Sequence, residues 1–183
     1  MDRREFLTAS AIGSLALGGA DLSRGDSPAD PLGDPRPLAP SAPRPVATRK
    51  ILIAGGGFNT AYIRLMAALS GKKRPRICYL PTASADSHEG IIRFYENCAP
   101  LDVEPHVQKS FIESLTQHQG WDELFLSMDG IVVSGGNTLN QQAIWKAQGI
   151  DTVLRQAWDK GVVLGGASAG SLCWFEEIGR AHV

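Results

Sequence analysis

The sequence predicts an α/β fold: a doubly wound, mostly parallel sheet flanked by helices. Three observations carry that expectation. Short, continuous apolar runs recur along the chain from Lys50, three of them end in glycine-rich loops, and amphipathic helical stretches alternate with the runs. Strands that are apolar throughout belong in sheets covered on both faces, which is the parallel arrangement.

The elements follow in order. Ile51-Leu52-Ile53-Ala54 reads as a buried strand ending at Gly55-Gly56-Gly57. A helix is expected from Asn59 or Thr60 to Ser70, with Ile63, Met66 and Ala67 on its apolar face and Gly71 as its stop. Ile77-Cys78-Tyr79-Leu80 is the second strand, closed by Pro81. The helix His88–Cys98 is expected to turn Ile91, Ile92 and Tyr95 inward. Val103–Val107 is a weaker strand, which Pro105 confines to an edge or a bulge. Trp121–Phe125 suggests a helical turn, and Ile131–Ser134 reads as the best-defined strand. Gly135-Gly136-Asn137-Thr138 opens the next helix. Asp151 is the expected N-cap of a helix reaching Trp158, and Val162-Val163-Leu164 is the last strand before Gly165–Gly170.

The front of the chain follows other rules. Residues 1–20 place Arg3-Arg4 and Phe6-Leu7 ahead of a short stretch rich in Ala, Gly and Ser, with Gly18 and Ala20 at the expected cleavage site. This resembles a bacterial twin-arginine export signal, which implies the export machinery as a partner and a periplasmic or extracellular location. The stretch is too short for a permanent membrane anchor. Residues 21–49 hold seven of the eleven prolines, so they read as an extended spacer, because proline fixes φ and lacks an N–H. The folded unit is therefore expected over residues 50–177.

Composition narrows the function. A net charge of -1 gives no basic footprint for nucleic acid. Cys78, Cys98 and Cys173 are too scattered for a disulfide framework, and the His, Cys and acidic residues show no metal-ligand spacing. Gly55 and Gly57 fit part of a dinucleotide-binding pattern, but Thr60 occupies its last glycine position. Pro81-Thr82 stands where a ribose-holding acid would be needed. No cofactor is expected.

The candidate chemistry lies at Gly166-Ala167-Ser168-Ala169-Gly170, a G-x-S-x-G pattern directly after a strand. Such a turn lifts a serine hydroxyl above the sheet, and only small neighbours let the chain turn so sharply. A plain helix-capping serine in a glycine turn is the alternative. An N–H from Gly136, paired with that of Ala169, would complete an oxyanion hole. Asn137 can bind substrate or cap the helix that follows.

These segments, Ile131–Asn140 and Gly161–Phe175, resemble the peptidase E family of serine peptidases and its cyanophycinase relatives, on the class I glutamine-amidotransferase-like fold. Gly55-Gly56-Gly57-Phe58 and Leu80-Pro81-Thr82-Ala83 match as well. The resemblance implies Ser168 as nucleophile and oxyanion donors at Gly136 and Ala169. It also implies a substrate pocket at Gly135 and Asn137, and short peptides, Asp-X dipeptides among them, as substrates. A glutaminase would place cysteine at the turn. A polymer-cleaving cyanophycinase and a non-catalytic exported binding protein are the remaining readings.

A serine nucleophile needs a base, usually histidine, which the family places well downstream. Only fifteen residues follow Ser168, with His182 the sole histidine among them; His88, His106 and His118 precede it. The tail Ile178–Val183 matches what a common sequencing adapter encodes. The expectation is a natural sequence interrupted after Glu176 or Glu177, a non-native tail over 178–183, and a catalytically incomplete chain.

Overall fold

The computed structural model describes residues 47–111 and 119–175. The export-type segment, the proline-rich spacer up to residue 46, His118 and the tail with His182 lie outside the described residues.

Among the described residues, five parallel strands form one sheet. They are β1 (Ile51–Ala54), β2 (Arg76–Leu80), β3 (Glu104–Val107), β4 (Gly130–Val133) and β5 (Val163–Ala167), in the spatial order β1-β5-β4-β2-β3. The helices are α1 (Thr60–Ser70), α2 (His88–Cys98), α3 (Trp121–Phe125), α4 (Thr138–Gln148), α5 (Ile150–Asp159) and α6 (Ala169–Leu172), with a 3-10 turn at Thr82–Ser84.

The side-chain period of two divides the sheet into two cores. Ile77, Tyr79, Val132 and Val163 point to one face, where Ile63 and Met66 of α1 and Phe94 and Cys98 of α2 cover them. Cys78, Leu80, Ile131, Val133 and Leu164 point to the other, under Phe125 of α3, Trp145 of α4 and Leu154 and Ala157 of α5. The apolar runs of β2, β4 and β5 are therefore continuous because both sides are buried. β3, with Pro105, takes an edge position, as a residue lacking a ladder donor requires.

Several boundaries differ from those expected. β5 runs on through Gly165, Gly166 and Ala167 instead of stopping at Leu164. Small residues extend it because α1 and α6 press against both of its faces: a Cβ at Gly165 would collide with the Tyr62 hydroxyl, and one at Gly166 with the Gly170 carbonyl. Asp151 is not the cap of α5; Gly149, at φ +72°, ends α4 and starts α5 at Ile150. Asp151 instead occupies the first turn, where a carboxylate favours the helix dipole. On α2 the inward stripe is Phe94 and Cys98, whereas Ile92 and Tyr95 are exposed. Phe94 stacks on Tyr79 at 5.2 Å and meets Phe58 edge-on at 6.4 Å, and that aromatic cluster fixes the rotation of the helix.

Candidate active site

β5 lies between β1 and β4, so the three glycine-bearing strand ends are neighbours on one rim. After β1 the chain passes to α1 on one face; after β5 it passes to α6, which packs with α4 on the other. Chains that leave adjacent strands in opposite directions open a crevice beyond the carboxyl ends, the usual binding position in such sheets.

Ser168 stands at that crevice. Its backbone adopts φ +54° and ψ −119°, a region that non-glycine residues avoid. Ala85 and Asp86 are the other non-glycine residues with positive φ among those described. Ser168 is exposed, between buried Ala167 and Ala169. Its hydroxyl makes no capping bond to α6, which removes the helix-cap reading. The turn is held by backbone bonds: the Ser168 N–H donates to Ala54 O at 3.1 Å, and the Ser171 and Leu172 N–H groups donate to Ser168 O at 2.8 and 3.2 Å. Gly170 sits where a Cβ would strike the Val133 carbonyl, so the second glycine of the pattern lets α6 rest on the end of β4.

The neighbouring corner meets the serine directly. A Cβ placed on Gly135 would lie 3.2 Å from Ser168 Cβ and 3.8 Å from its Oγ. Gly136, at φ +139°, packs against the Ala83 carbonyl so closely that any Cβ would overlap it. That carbonyl accepts the Asn137 N–H at 2.8 Å, joining the segment Thr82–Ser84 to the glycine corner. The Asn137 side chain accepts from the Asn140 N–H at 2.9 Å, so it caps α4. Gly135, Gly136, Asn137, Ser168 and Ala169 thus occupy one rim.

The histidines are arranged otherwise. His106 lies on β3, three strands from β5, or about 14 Å at the usual strand spacing. Its Nε2 is 2.9 Å from Glu104 Oε1 and 3.5 Å from Arg76 Nε, so it points toward the strand starts. His88 begins α2 and lies 3.5 Å from Lys109 Nζ on the β2–β3 side. Among the described residues neither histidine is bonded to Ser168.

The thiols are unsuited to act instead. Burial pushes Cys173 up to about 12, Cys78 to about 12 and Cys98 to about 11, so all three are protonated near neutral pH. Among the described residues, no group of three His, Cys, Asp or Glu side chains is placed to hold a metal, and no helix is long and apolar enough to cross a membrane.

Two arrangements carried no signal in the sequence. Asp86, buried, accepts the Ser110 and Phe111 N–H groups at 3.1 and 2.8 Å. Thr82 links Ser110 to the Trp145 indole, so the loops after β2 and β3 are tied to α4. The second is Ser171, whose hydroxyl meets the end of β1 at Ala54. Only serine's presence in a small-residue turn could have pointed to it.

Comparison with known proteins identifies the family. Residues 51–183 match the model of peptidase family S51. The uncharacterized peptidase YgaJ of Bacillus subtilis (strain 168) is 42% identical over 132 residues, covering 69% of this chain and 56% of YgaJ. A crystal structure of a protein described as a peptidase E from Listeria monocytogenes EGD-e superposes with a TM-score of 0.55 at 19% identity, over 68% of this chain and 61% of that one. The crystal structure of a peptidase from an acI-B1 Actinobacterium gives 0.57 at 17% identity, over 69% and 56%. Those two likenesses show the fold, an α/β architecture with a parallel sheet, and the chain spans little more than half the length of these relatives. With the family model covering the whole sheet and its serine corner, the chain belongs to peptidase family S51.

Proposed function

We propose that this chain carries the nucleophile half of a serine peptidase that hydrolyses short peptides, Asp-X dipeptides among them. The observation that supports this most is Ser168 itself: exposed, strained at φ +54°, uncommitted to capping, and facing the Gly135-Gly136 corner. In this reading Oγ attacks the scissile carbonyl carbon while a base takes the hydroxyl proton. The N–H groups of Gly136 and Ala169 hold the resulting oxyanion. Collapse expels the amine with a proton from the base, and water then releases the acyl group. Gly135 leaves room for the substrate beside Oγ, and the exposed amide of Asn137 borders the pocket while its Oδ1 caps α4.

The general base is proposed to come from polypeptide outside the described residues, since His88 and His106 are committed elsewhere. Export through the twin-arginine route remains part of the proposal. Cleavage of an aspartate-based polymer is the second reading, which the exposure of Ser168 also allows.

The test compares the chain alone with a fusion in which residues 51–175 are followed by the remaining part of YgaJ. The fusion is expected to cleave Asp-X dipeptides, with Ser168→Ala lowering the rate by at least about 1000-fold. The chain alone is expected to be slower by at least about 100-fold, for want of the base. A Ser168→Ala fusion that keeps its full rate would overturn the assignment. Cleavage of the polymer in preference to dipeptides would select the second reading.

A further inference from the structure

Ser171 sits three residues after Ser168, outside both the G-x-S-x-G pattern and the oxyanion donors. Its half-buried hydroxyl accepts the Ala54 N–H at 3.2 Å and stands 2.6 Å from Ala54 O and 2.9 Å from Gly166 O. Ala54 is the last residue of β1, and it lies opposite Ala167 in the ladder, one position beyond the Ile53–Gly166 pair. The hydroxyl therefore spans the final rung between the two strands. The Ala54 carbonyl that it reaches is the same one that accepts the Ser168 N–H. The Ser171 N–H in turn donates to Ser168 O at 2.8 Å. Residue 171 thus grips residue 168 from its carbonyl side directly and from its amide side through Ala54.

We infer that Ser171 is a positioning residue for the nucleophile, a clamp that holds the Ser168 turn against the end of β1. The inference rests on Ser168 being the nucleophile. A residue at positive φ with a side chain costs about 1–3 kcal/mol and keeps that conformation only where its surroundings over-determine it. β1 is a weak anchor by itself: among the described strands it pairs only with β5, and Ile53 is 53% exposed. The Ser171 hydroxyl supplies the missing constraint. Without it the end of β1 and the turn separate, and Oγ loses its aim at the Gly135-Gly136 corner. Misplacement by about 1 Å can cost roughly 100-fold in rate.

Two readouts on the YgaJ fusion test this. The first is the second-order rate of Ser168 labelling by a peptidyl fluorophosphonate, in which Oγ bonds to phosphorus, fluoride leaves and the hydroxyl proton passes to the base and on to solvent. The second is the hydrogen-exchange rate of the Ser168 amide. Ser171→Ala is expected to slow labelling and to speed exchange, each by at least about tenfold. Cys98→Ala removes a buried side chain from α2, far from the turn, and is expected to lower Tm while changing both readouts by less than about twofold. Ser171→Thr, which keeps the hydroxyl, should restore labelling to within about threefold of the parent. If Ser171→Ala cannot be obtained folded, Ser171→Cys takes its place with the same expectation, since a thiol is a weak hydrogen-bonding group. Labelling and exchange that stay within twofold of the parent would overturn the clamp. Absence of Ser168 labelling in the parent fusion, where the base is present, would remove the nucleophile assignment instead, and the exchange ratio would then decide the clamp alone.

Discussion

The glycines that follow β1 and those that surround the end of β5 occupy adjacent positions on one rim, yet they are glycine for different reasons. Around Gly55, Gly56 and Gly57 a Cβ would meet nothing within 4 Å, and only Gly56 has a positive φ, +75°. Around β5 the spaces are closed. Cβ atoms at Gly165, Gly166 and Gly170 would strike the Tyr62 hydroxyl and the Gly170 and Val133 carbonyls, and Gly136 rests on Ala83. The first corner is open and adaptable, whereas the second is a packed device that forces Ser168 into its strained turn. Glycine in a loop therefore says little by itself; glycine under backbone contact marks where geometry has been fixed.

The contrast can be broken by substitution, and the largest effect is expected at the packed corner. Gly166→Ala or Gly170→Ala should destabilise the fold by about 3 kcal/mol, because the obstructing atoms are backbone and cannot rotate away. Urea unfolding measures this, and a loss below 1 kcal/mol would mean that the turn is looser than described.

Next is the strained serine. Ser168→Gly removes the side chain from a disfavoured backbone region, so stability should rise by about 1 kcal/mol while hydrolysis by the YgaJ fusion is lost. A drop in stability on this substitution would argue against stored strain.

A pH series separates the buried thiols from the exposed hydroxyl at the same corner. Burial raises Cys173 to about 12 from an ordinary value of 9.0, so the unfolded chain releases that proton at lower pH than the folded chain does. Stability is therefore present below about pH 9 and declines as pH climbs toward 12, with Cys78 acting in the same direction. Thermal unfolding between pH 7 and 10 should show the fall beginning near pH 9. Maleimide should leave Cys173 unmodified at pH 7 in the folded chain.

The smallest effect belongs to the open corner. Gly57→Ala should change stability by less than about 0.5 kcal/mol, since the added methyl meets only solvent. A large loss there would mean that the two corners are not distinct after all.

How much of this the amino-acid sequence revealed depended on how local each cause was. Ile131-Val132-Val133 and Ile77–Leu80 announce buried strands because every position in them is covered. Gly166–Gly170 announces the turn because its small residues are consecutive. The cap at Asn137 was legible as one of two options, and the Asn140 N–H shows that the cap is made. On α2 the residues Ile91, Ile92, Phe94 and Tyr95 permit two apolar stripes, and the choice is made by Tyr79, a residue on another element. The start of α5 was misplaced for a similar reason: Gly149 serves two helices at once, which a single-helix capping rule does not anticipate. Ser171 and Asp86 act on partners 117 and about 25 residues away in sequence, so their roles exist only in the folded chain.

The most direct measurement is a crystal structure of the YgaJ fusion soaked with a peptide boronic acid carrying an aspartyl side chain. The account predicts a covalent bond from Ser168 Oγ to boron, with one boronate oxygen about 3 Å from the N–H groups of both Gly136 and Ala169. An unmodified Ser168, or an adduct whose oxygen turns away from the Gly135-Gly136 corner, would contradict it.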